Sequence, residues 1–219
     1  MKKYIKILRK CPLFKNIADE DLLRMLVCLG ARVVQFDKKF TIMAEGGSAR
    51  YIGIVLSGSV QIARTDYWGN RSIIAHAEVG EVFGEAFACS STAAIPVDIT
   101  AVDECEIMLL ECSHILHTCS NSCGFHQQLI FNLMKDLAEK ALMFHQKIEI
   151  ISQRTTREKV MTYLNFQAKK AGESEFEIPF DRQELADYLG VERSGLSAEL
   201  GKLVREGVLE TSKNKFRLL

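Results

Sequence analysis

Proline and long apolar runs are both scarce in this chain. Only 3 of its 219 residues are proline, while 47% are apolar and 26% charged, so the composition lacks the marks of a disordered protein. No apolar run approaches the roughly 18 to 20 residues that a membrane span needs, and the first residues, MKKYIKILRKCPLF, lack the apolar core of a signal peptide. We therefore expect a folded, cytoplasmic protein with no membrane partner.

Net charge and a disulfide framework are missing as well. The 28 basic side chains balance 28 acidic ones, and the part from Ser152 onward has twelve Lys and Arg against eleven Asp and Glu. Binding of nucleic acid would therefore need a local basic face. The seven cysteines come without a secretory signal, so they do not indicate a set of disulfides.

Short apolar runs fill the region from Ala31 to Glu111, and Gly, Asp and Asn separate them. Strands of this length at close spacing predict an antiparallel barrel or sandwich. We expect two hairpins within it, one turning at Ser57 and Gly58 and the other at Gly69 and Asn70.

The apolar period changes at about Asn121. From there to Ile151, apolar residues recur at three and four positions, which predicts one helix of some 30 residues, roughly 45 Å long. Charged residues interleave, so the apolar stripe is narrow, as in a two-helix seam. The stripe could pack on its own chain or on a second copy; the candidate seam residues are Leu133, Leu137, Phe144 and Ile148.

The last segment predicts a winged helix-turn-helix. Asp181 can cap a helix that runs to Leu189, and Gly190 suits the turn that follows. A second helix from Arg193 to about Glu206 would bury leucines on one face and expose polar residues on the other. Two short strands would follow, around a tip at residues 213–215.

These features together resemble the cyclic-AMP receptor protein / fumarate-nitrate regulator (Crp/Fnr) family of bacterial transcription regulators, over nearly the whole chain. CPLFKNIADEDLLRML is similar to the family's N-terminal entry, GEVFGE to its effector-domain signature and RQELADYLGVERSGLSAEL to its DNA-reading helices. The resemblance implies an α+β fold: an antiparallel β-roll like the cyclic-nucleotide-binding jelly roll over residues 1–120, a dimerisation helix over 121–151, and a winged helix-turn-helix domain over 152–219.

The resemblance also implies a homodimer that binds a palindromic site on double-stranded DNA, with RNA polymerase as a further partner. Arg193 matches the family's base-reading arginine, and arginine commonly reads guanine in the major groove. Ser194 and Ala198 stand where a glutamate and a second arginine would be, so the half-site should differ. The other candidate DNA contacts are Arg182, Gln183, Ser197, Lys202, Lys213 and Lys215.

The effector site departs from the family's pattern. In the family, a Gly-Glu pair is followed by an Arg-Ser pair that binds the cyclic phosphate. Aligning Gly84 and Glu85 with the first pair puts Ile95 and Pro96 in place of the second, and neither side chain can bind a phosphate anion. We therefore expect an unidentified small-molecule effector other than cyclic AMP, no cofactor, and a Pro96 that shapes the entry to a strand.

A cluster of sulfur and imidazole ligands offers an alternative, a thiol- or metal-based redox sensor. The stretch ECSHILHTCSNSCGFH from Glu111 to His126 contains ligand types that hold zinc, haem iron or iron–sulfur clusters. Its spacing fits no strong metal pattern. The candidate ligands are Cys112, Cys119, Cys123 and His126, with His114 and His117 between them.

Two further interpretations compete with a regulated DNA-binding protein. A cupin-type enzyme would need a His-x-His pair and further ligands, but the predicted barrel contains only His76. No nucleophile elbow, phosphate-binding glycine loop or HExxH motif is present, so we expect no enzymatic activity. A ligand-independent DNA-binding dimer with the barrel as scaffold is the other alternative.

Overall fold

The computed structural model describes residues 1–90, 94–116 and 124–219. The chain divides into two compact units: residues 1–64 with 74–141, and residues 65–73 with 142–219. Within the described ranges, no helix combines the length and apolar character needed to cross a membrane.

Short helices surround the β domain of the first unit. Two are single 3₁₀ turns, Lys2–Tyr4 and Pro12–Phe14. The α-helices are α1 (Ile5–Leu8), α2 (Asp19–Cys28), α3 (Glu85–Ala88) and α4 (Cys112–Leu116). Three acidic residues in the first turn of α2 favour its start there, because carboxylates stabilise the positive end of a helix.

The β domain contains two four-stranded sheets. Its strands are β1 (Arg32–Phe36), β2 (Thr41–Met43), β3 (Tyr51–Ser57), β4 (Val60–Thr65), β5 (Arg71–Ala77), β6 (Val82–Phe83), β7 (Asp98–Ala101) and β8 (Cys105–Glu111). The sheet orders are β1-β8-β3-β6 and β2-β7-β4-β5, and β8 pairs antiparallel with both β1 and β3. The predicted antiparallel β-roll is confirmed.

The prediction of a hairpin at Ser57 and Gly58 is wrong. β3 pairs with β6 and β8, whereas β4 pairs with β7 in the other sheet. Gly58 has φ +73°, and a Cβ there would lie 2.5 Å from the carbonyl oxygen of Glu104, so this tight turn carries the chain from one sheet to the next. The second hairpin is confirmed, since β4 and β5 are neighbours.

Apolar side chains fill the interior between the sheets. Val55, Phe83, Ile95 and Ile107 are all buried there. Phe83 packs so closely on β3 that a Cβ at Gly53 would lie 2.1 Å from the ring. The glycine is therefore a packing requirement of the β-roll.

A 28-residue helix, α5 (Gly124–Ile151), runs from the first unit into the second. Leu129 and Leu133 are buried in a core with the N-terminal helices, and Leu137 packs against that core. The buried amide of Asn132 donates to the backbone oxygens of Leu13 and Lys15 at 2.9 and 2.8 Å. The first half of the predicted apolar stripe thus packs on its own chain.

The C-terminal part of the second unit is a winged helix-turn-helix, as predicted. Its elements are α6 (Thr156–Ala171), β9 (Glu175–Glu177), α7 (Arg182–Leu189), α8 (Arg193–Arg205), β10 (Leu209–Ser212) and β11 (Lys215–Leu218), and the sheet order is β10-β11-β9. Asp181 and Glu184 form a capping box at the start of α7. Gly190 has φ +61° and ends α7 in the left-handed conformation.

Candidate nucleic-acid interface and effector site

Helix α8 separates an apolar face from a polar one. Leu196, Leu200 and Leu203 are buried in the domain core. The opposite face exposes Arg193, Ser194, Ser197, Ala198 and Lys202. A recognition helix has these two faces, because one face packs in its own domain and the other presents side chains to a groove of DNA.

The exposed polar residues of α8 differ in their partners. Arg193 lies in the first turn and has no ion-pair or hydrogen-bond partner among the described residues. The Ser194 hydroxyl donates to Glu192 at 3.1 Å, and Lys202 pairs with Glu199 at 3.2 Å. Arg193 is therefore a side chain of this helix that can contact a ligand without breaking an internal bond, and it is the arginine in the first turn.

A surface depression of about 580 Å³ collects several of the predicted DNA contacts. It is lined by residues of the α7 start, the α8 start and the wing tip, among them Arg182, Gln183, Arg193 and Lys213. Gln183 is exposed and donates to Asp187 at 2.8 Å. The fold thus brings four predicted contacts to one concave surface.

Arg182 has an internal role that the sequence did not indicate. Its guanidinium donates to the Thr211 hydroxyl at 2.7 Å and stacks over the Phe216 ring at 5.0 Å. Burial lowers the pKa of this guanidinium. Arg182 therefore joins α7 to the wing and has less freedom than Arg193 to reach a phosphate.

The wing tip presents two exposed lysines, Lys213 and Lys215. Lys213 has φ +54°, which is the left-handed conformation that a lysine adopts in a tight turn. The side-chain amide of Asn214 donates to Glu177 at 2.7 Å and so fixes the tip to β9. A held tip keeps both ammonium groups outside the domain.

The Gly-Glu pair of the β-roll lies at the start of α3. Gly84 has φ +79°, and a Cβ there would lie 3.2 Å from the carbonyl oxygen of Tyr51. Glu85 is only 4% exposed, and its carboxylate lies 2.8 Å from the Lys140 ammonium. Lys140 also lies 3.2 Å from Asp136 and donates to the Val82 oxygen at 2.7 Å.

One carboxylate oxygen of Glu85, Oε2, is buried and has no hydrogen-bond partner in the described part of the chain. The ion pair with Lys140 thus satisfies only half of this carboxylate. A small polar molecule that donates a hydrogen bond would find an acceptor there.

Ile95 and Pro96 occupy the two positions at which the family pattern has its phosphate-binding pair. Ile95 is buried among the side chains between the sheets, and its backbone exchanges hydrogen bonds with Gly46 and Gly47 at 2.8 and 2.9 Å. Pro96 is exposed and lies two residues before the start of β7. Neither residue supplies a cation or a hydroxyl where the family pattern has one.

Two family models match the chain. A cyclic nucleotide-binding domain matches residues 33–122 and a Crp-like helix-turn-helix domain matches residues 158–219, which together are more than two thirds of the chain. The chain belongs to the Crp/Fnr family of transcription regulators.

Regulators of this family are similar over most of the chain. The transcriptional activator protein FnrA of Stutzerimonas stutzeri is 25% identical over 219 residues, which cover 95% of this chain and 84% of FnrA. The solved structure of FixK2 from Bradyrhizobium japonicum is 23% identical with a TM-score of 0.68, covering 86% of this chain and 92% of that one. The structure of CLP from Xanthomonas campestris, 18% identical, has a TM-score of 0.75 and covers 92% and 99%. By name, FnrA is a transcriptional activator and CLP a global regulator.

The metal candidates of this Crp/Fnr chain do not assemble in the described ranges, where no group of three or more His, Cys, Asp or Glu side chains is placed to hold an ion. His126 is buried and its Nε2 donates to the Ile115 oxygen at 2.8 Å. Cys112 lies beside Cys89. His117, Cys119 and Cys123 lie outside the described residues.

The partners of Glu85 were not predicted from the sequence. Asp136 and Lys140 are four residues apart and so lie on one helix face, and that spacing was a signal. Nothing local in the sequence connects them with Glu85, which is 55 residues away from Lys140. Cys89 was likewise not among the predicted ligands.

Proposed function

We propose that this Crp/Fnr chain forms a homodimer that binds a palindromic site on double-stranded DNA and controls transcription. The observation that carries the proposal is Arg193, an exposed arginine without an internal partner in the described structure, in the first turn of a helix held by its other face. Recognition helices of this type read bases with the residues near their N-terminus. FnrA is a transcriptional activator, which supports RNA polymerase as a further partner.

In this proposal Arg193 reads a base, and the lysines position the domain on the duplex. Bidentate arginine–guanine contacts discriminate among bases, whereas contacts to phosphate do not. We assign phosphate contacts to Gln183, Ser197, Lys202, Lys213 and Lys215, and Ser194 adjoins Arg193 at the groove. Arg182 is left out of this set because its guanidinium holds the wing.

The exposed face of α5 supports a seam with a second copy. Phe131, Met134, Leu142 and Ile148 are each more than half exposed, and Ala138 lies between them at the same helical spacing. Phe131, Met134, Ala138 and Leu142 follow one another at spacings of three and four residues, which places these four in one apolar stripe, as in a two-helix seam. Of the four seam residues predicted from the sequence, Phe144 and Ile148 are exposed near the end of α5, whereas Leu133 and Leu137 pack on their own chain.

The effector that we propose is a small molecule other than cyclic AMP. The absence of a cation at Ile95 and Pro96 argues against a cyclic phosphate, and the Lys140 ammonium already occupies one oxygen of Glu85. A ligand that donates to the free Glu85 oxygen would act on the charged cluster of Glu85, Asp136 and Lys140. CLP is a c-di-GMP responsive regulator, so Crp/Fnr folds accommodate more than one effector.

The DNA proposal is tested by selecting bound sequences from a random duplex pool, with and without cyclic AMP. We expect one palindrome to be enriched equally in both arms. Enrichment only with cyclic AMP would contradict our account of the effector site, and no enrichment in any condition would count against DNA binding.

Arg193→Ala then tests the base contact on the selected duplex. We expect it to lose about 1 to 3 kcal/mol of binding free energy and to relax one position of the site. The matched control is Lys170→Ala, which removes one exposed positive charge at the far end of α6, where little effect is expected. Equal weakening on every duplex would make Arg193 a phosphate contact instead.

The seam is tested by Leu142→Glu and analytical ultracentrifugation. A carboxylate in the middle of the apolar stripe should raise the dimer dissociation constant, because burying an unpaired charge is costly. Val27→Glu is the control, since Val27 is also apolar and more than half exposed but lies on α2. If both variants sediment like the unmodified protein, the seam lies elsewhere.

A further inference from the structure

Two thiols from separate elements meet in the first unit. Cys89 ends α3 and Cys112 begins α4, and their Sγ atoms are 3.4 Å apart. The backbone amide of Cys89 donates to the backbone oxygen of Glu85 at 2.8 Å, and the backbone amide of Cys112 donates to the backbone oxygen of Arg50 at 3.0 Å. Cys89 is thus bonded within its own short helix, and Cys112 is bonded to the segment before β3.

The distance between the sulfur atoms is close to what a disulfide needs. An S–S bond is about 2.05 Å long, so the two atoms must approach by only about 1.3 Å. Cys112 is buried and Cys89 is half-buried, so water and small oxidants reach the pair from the Cys89 side.

The two thiols are chemically unequal. The Cys89 thiol donates a hydrogen bond that lowers the pKa of Cys112 and raises its own pKa. The first thiolate therefore forms on Cys112, and thiolates are the reactive form of cysteine. Cys11, in the same apolar core, has its pKa raised to about 12 by burial and stays a thiol.

We propose that Cys89 and Cys112 are a redox-active pair which a peroxide converts to an intrachain disulfide, and that this bond changes the affinity of the protein for DNA. Only the second half of this proposal rests on the proposed function. The first half stands on the contact between the two sulfur atoms.

The reaction balances with one hydrogen peroxide. The Cys112 thiolate attacks one peroxide oxygen, the O–O bond breaks, and the departing hydroxide takes up the proton that Cys112 released, giving water and a Cys112 sulfenic acid. The Cys89 sulfur then attacks the Cys112 sulfur. The S–S bond forms, the S–O bond breaks, and hydroxide leaves with the Cys89 proton as a second water. Two thiols lose two electrons, and the peroxide gains them.

The bond would act on the cluster at Glu85. Helix α3 is a single turn, with Glu85 at its start and Cys89 at its end. Drawing the end of α3 toward α4 therefore moves the short helix whose first carboxylate pairs with Lys140 of α5. Oxidation and the Glu85–Lys140 contact are coupled through this one rigid turn.

The chemical half is tested on the full chain, purified reduced and without oxygen, then treated with one equivalent of hydrogen peroxide. We expect two of the seven thiols to be lost, a peptide linking Cys89 to Cys112 in a nonreducing mass map, and full recovery with dithiothreitol. Cys89→Ser should abolish the link, and Cys28→Ser, which changes an exposed cysteine on α2, should leave it intact. A link through another cysteine, or a sulfonic acid without a link, would overturn the proposal.

The regulatory half is tested by the anisotropy of a labelled duplex carrying the selected palindrome. Oxidised and reduced protein should differ in dissociation constant by at least about fivefold, and Cys89→Ser should not respond to peroxide. An unchanged dissociation constant in the cross-linked protein overturns the coupling. A protein that binds no duplex in either redox state counts against the proposed DNA binding, while the peptide map still decides the disulfide.

Discussion

Replacing Lys140 with methionine removes the cation that serves two buried carboxylates. The ammonium lies 2.8 Å from Glu85 and 3.2 Å from Asp136, whose side chains are 5% and 6% exposed. Methionine keeps an unbranched apolar stem but has no charge, so the packing along α5 changes little. The variant therefore measures what the cation contributes.

The size of the loss follows from burial. Removing one partner of a buried ion pair costs about 3 to 5 kcal/mol, because the remaining charge stays desolvated. The Lys140 side chain retains 25% exposure, so water screens part of the interaction, and we expect about 2 to 4 kcal/mol from the free energy of unfolding. Lys135→Met is the control, since Lys135 pairs with Glu139 at 3.8 Å on the exposed face of the same helix and should cost about 1 kcal/mol or less.

Urea unfolding followed by far-ultraviolet circular dichroism measures both variants. Fluorescence is a poor probe because the single tryptophan, Trp68, is exposed in the hairpin loop. Hydrogen exchange of the β3 and β8 amides assigns the loss to the first unit. Equal losses for Lys140→Met and Lys135→Met would refute the argument, as would a Glu85→Gln, Lys140→Met double variant no more stable than Lys140→Met alone.

Three further perturbations test other contacts. Gly53→Ala places a Cβ 2.1 Å from the Phe83 ring and should cost about 1 to 3 kcal/mol in urea unfolding; Phe83→Leu in the same chain should recover most of that loss. Asn132→Ala leaves two backbone oxygens near the N-terminus without their donor and should cost about 2 kcal/mol, with faster proteolysis there; unchanged proteolysis would contradict it. Burial lowers the pKa of Lys147 from 10.5 to about 8. Between those pH values the unfolded chain holds a proton that the native chain has released, so the free energy of unfolding rises with pH by at most about 1.4 kcal/mol per unit. Urea titrations at pH 8 and 10 should show this rise to be lost in Lys147→Met.

Local signals in the sequence predicted the helices and strands, but they did not predict the contacts between segments that are distant in the chain. Asp181 and Gly190 fix the ends of α7 by their own conformations, so the helix-turn-helix was readable residue by residue. The turn at Gly58 was located correctly, but the pairing of the two strands that it joins was predicted wrongly. Alternating apolar residues show that a strand is half-buried without showing which strand it pairs with.

The long helix illustrates the same limit. Its apolar period predicted α5 to within a few residues at its start and to the residue at its end. A single stripe, however, cannot show which surface covers it. Leu133 packs on the chain's own N-terminal helices, whereas Phe131 and Leu142 remain exposed. The buried carboxamide of Asn132, beside Leu133, shows which face belongs to the chain's own core, since a polar group at that depth needs fixed partners.

The two faces of α5 connect the β-roll with the proposed seam. One face carries Asp136 and Lys140, which contact Glu85, and the other carries the proposed seam at Phe131 and Leu142. These positions overlap along the axis, so the same turns of a stiff helix serve both. A ligand that takes the free Glu85 oxygen, or a disulfide that draws α3 toward α4, must therefore alter the environment of the helical turns that also carry the proposed seam. The coupling needs no path through the remainder of the β-roll, because the helix itself is the shared element.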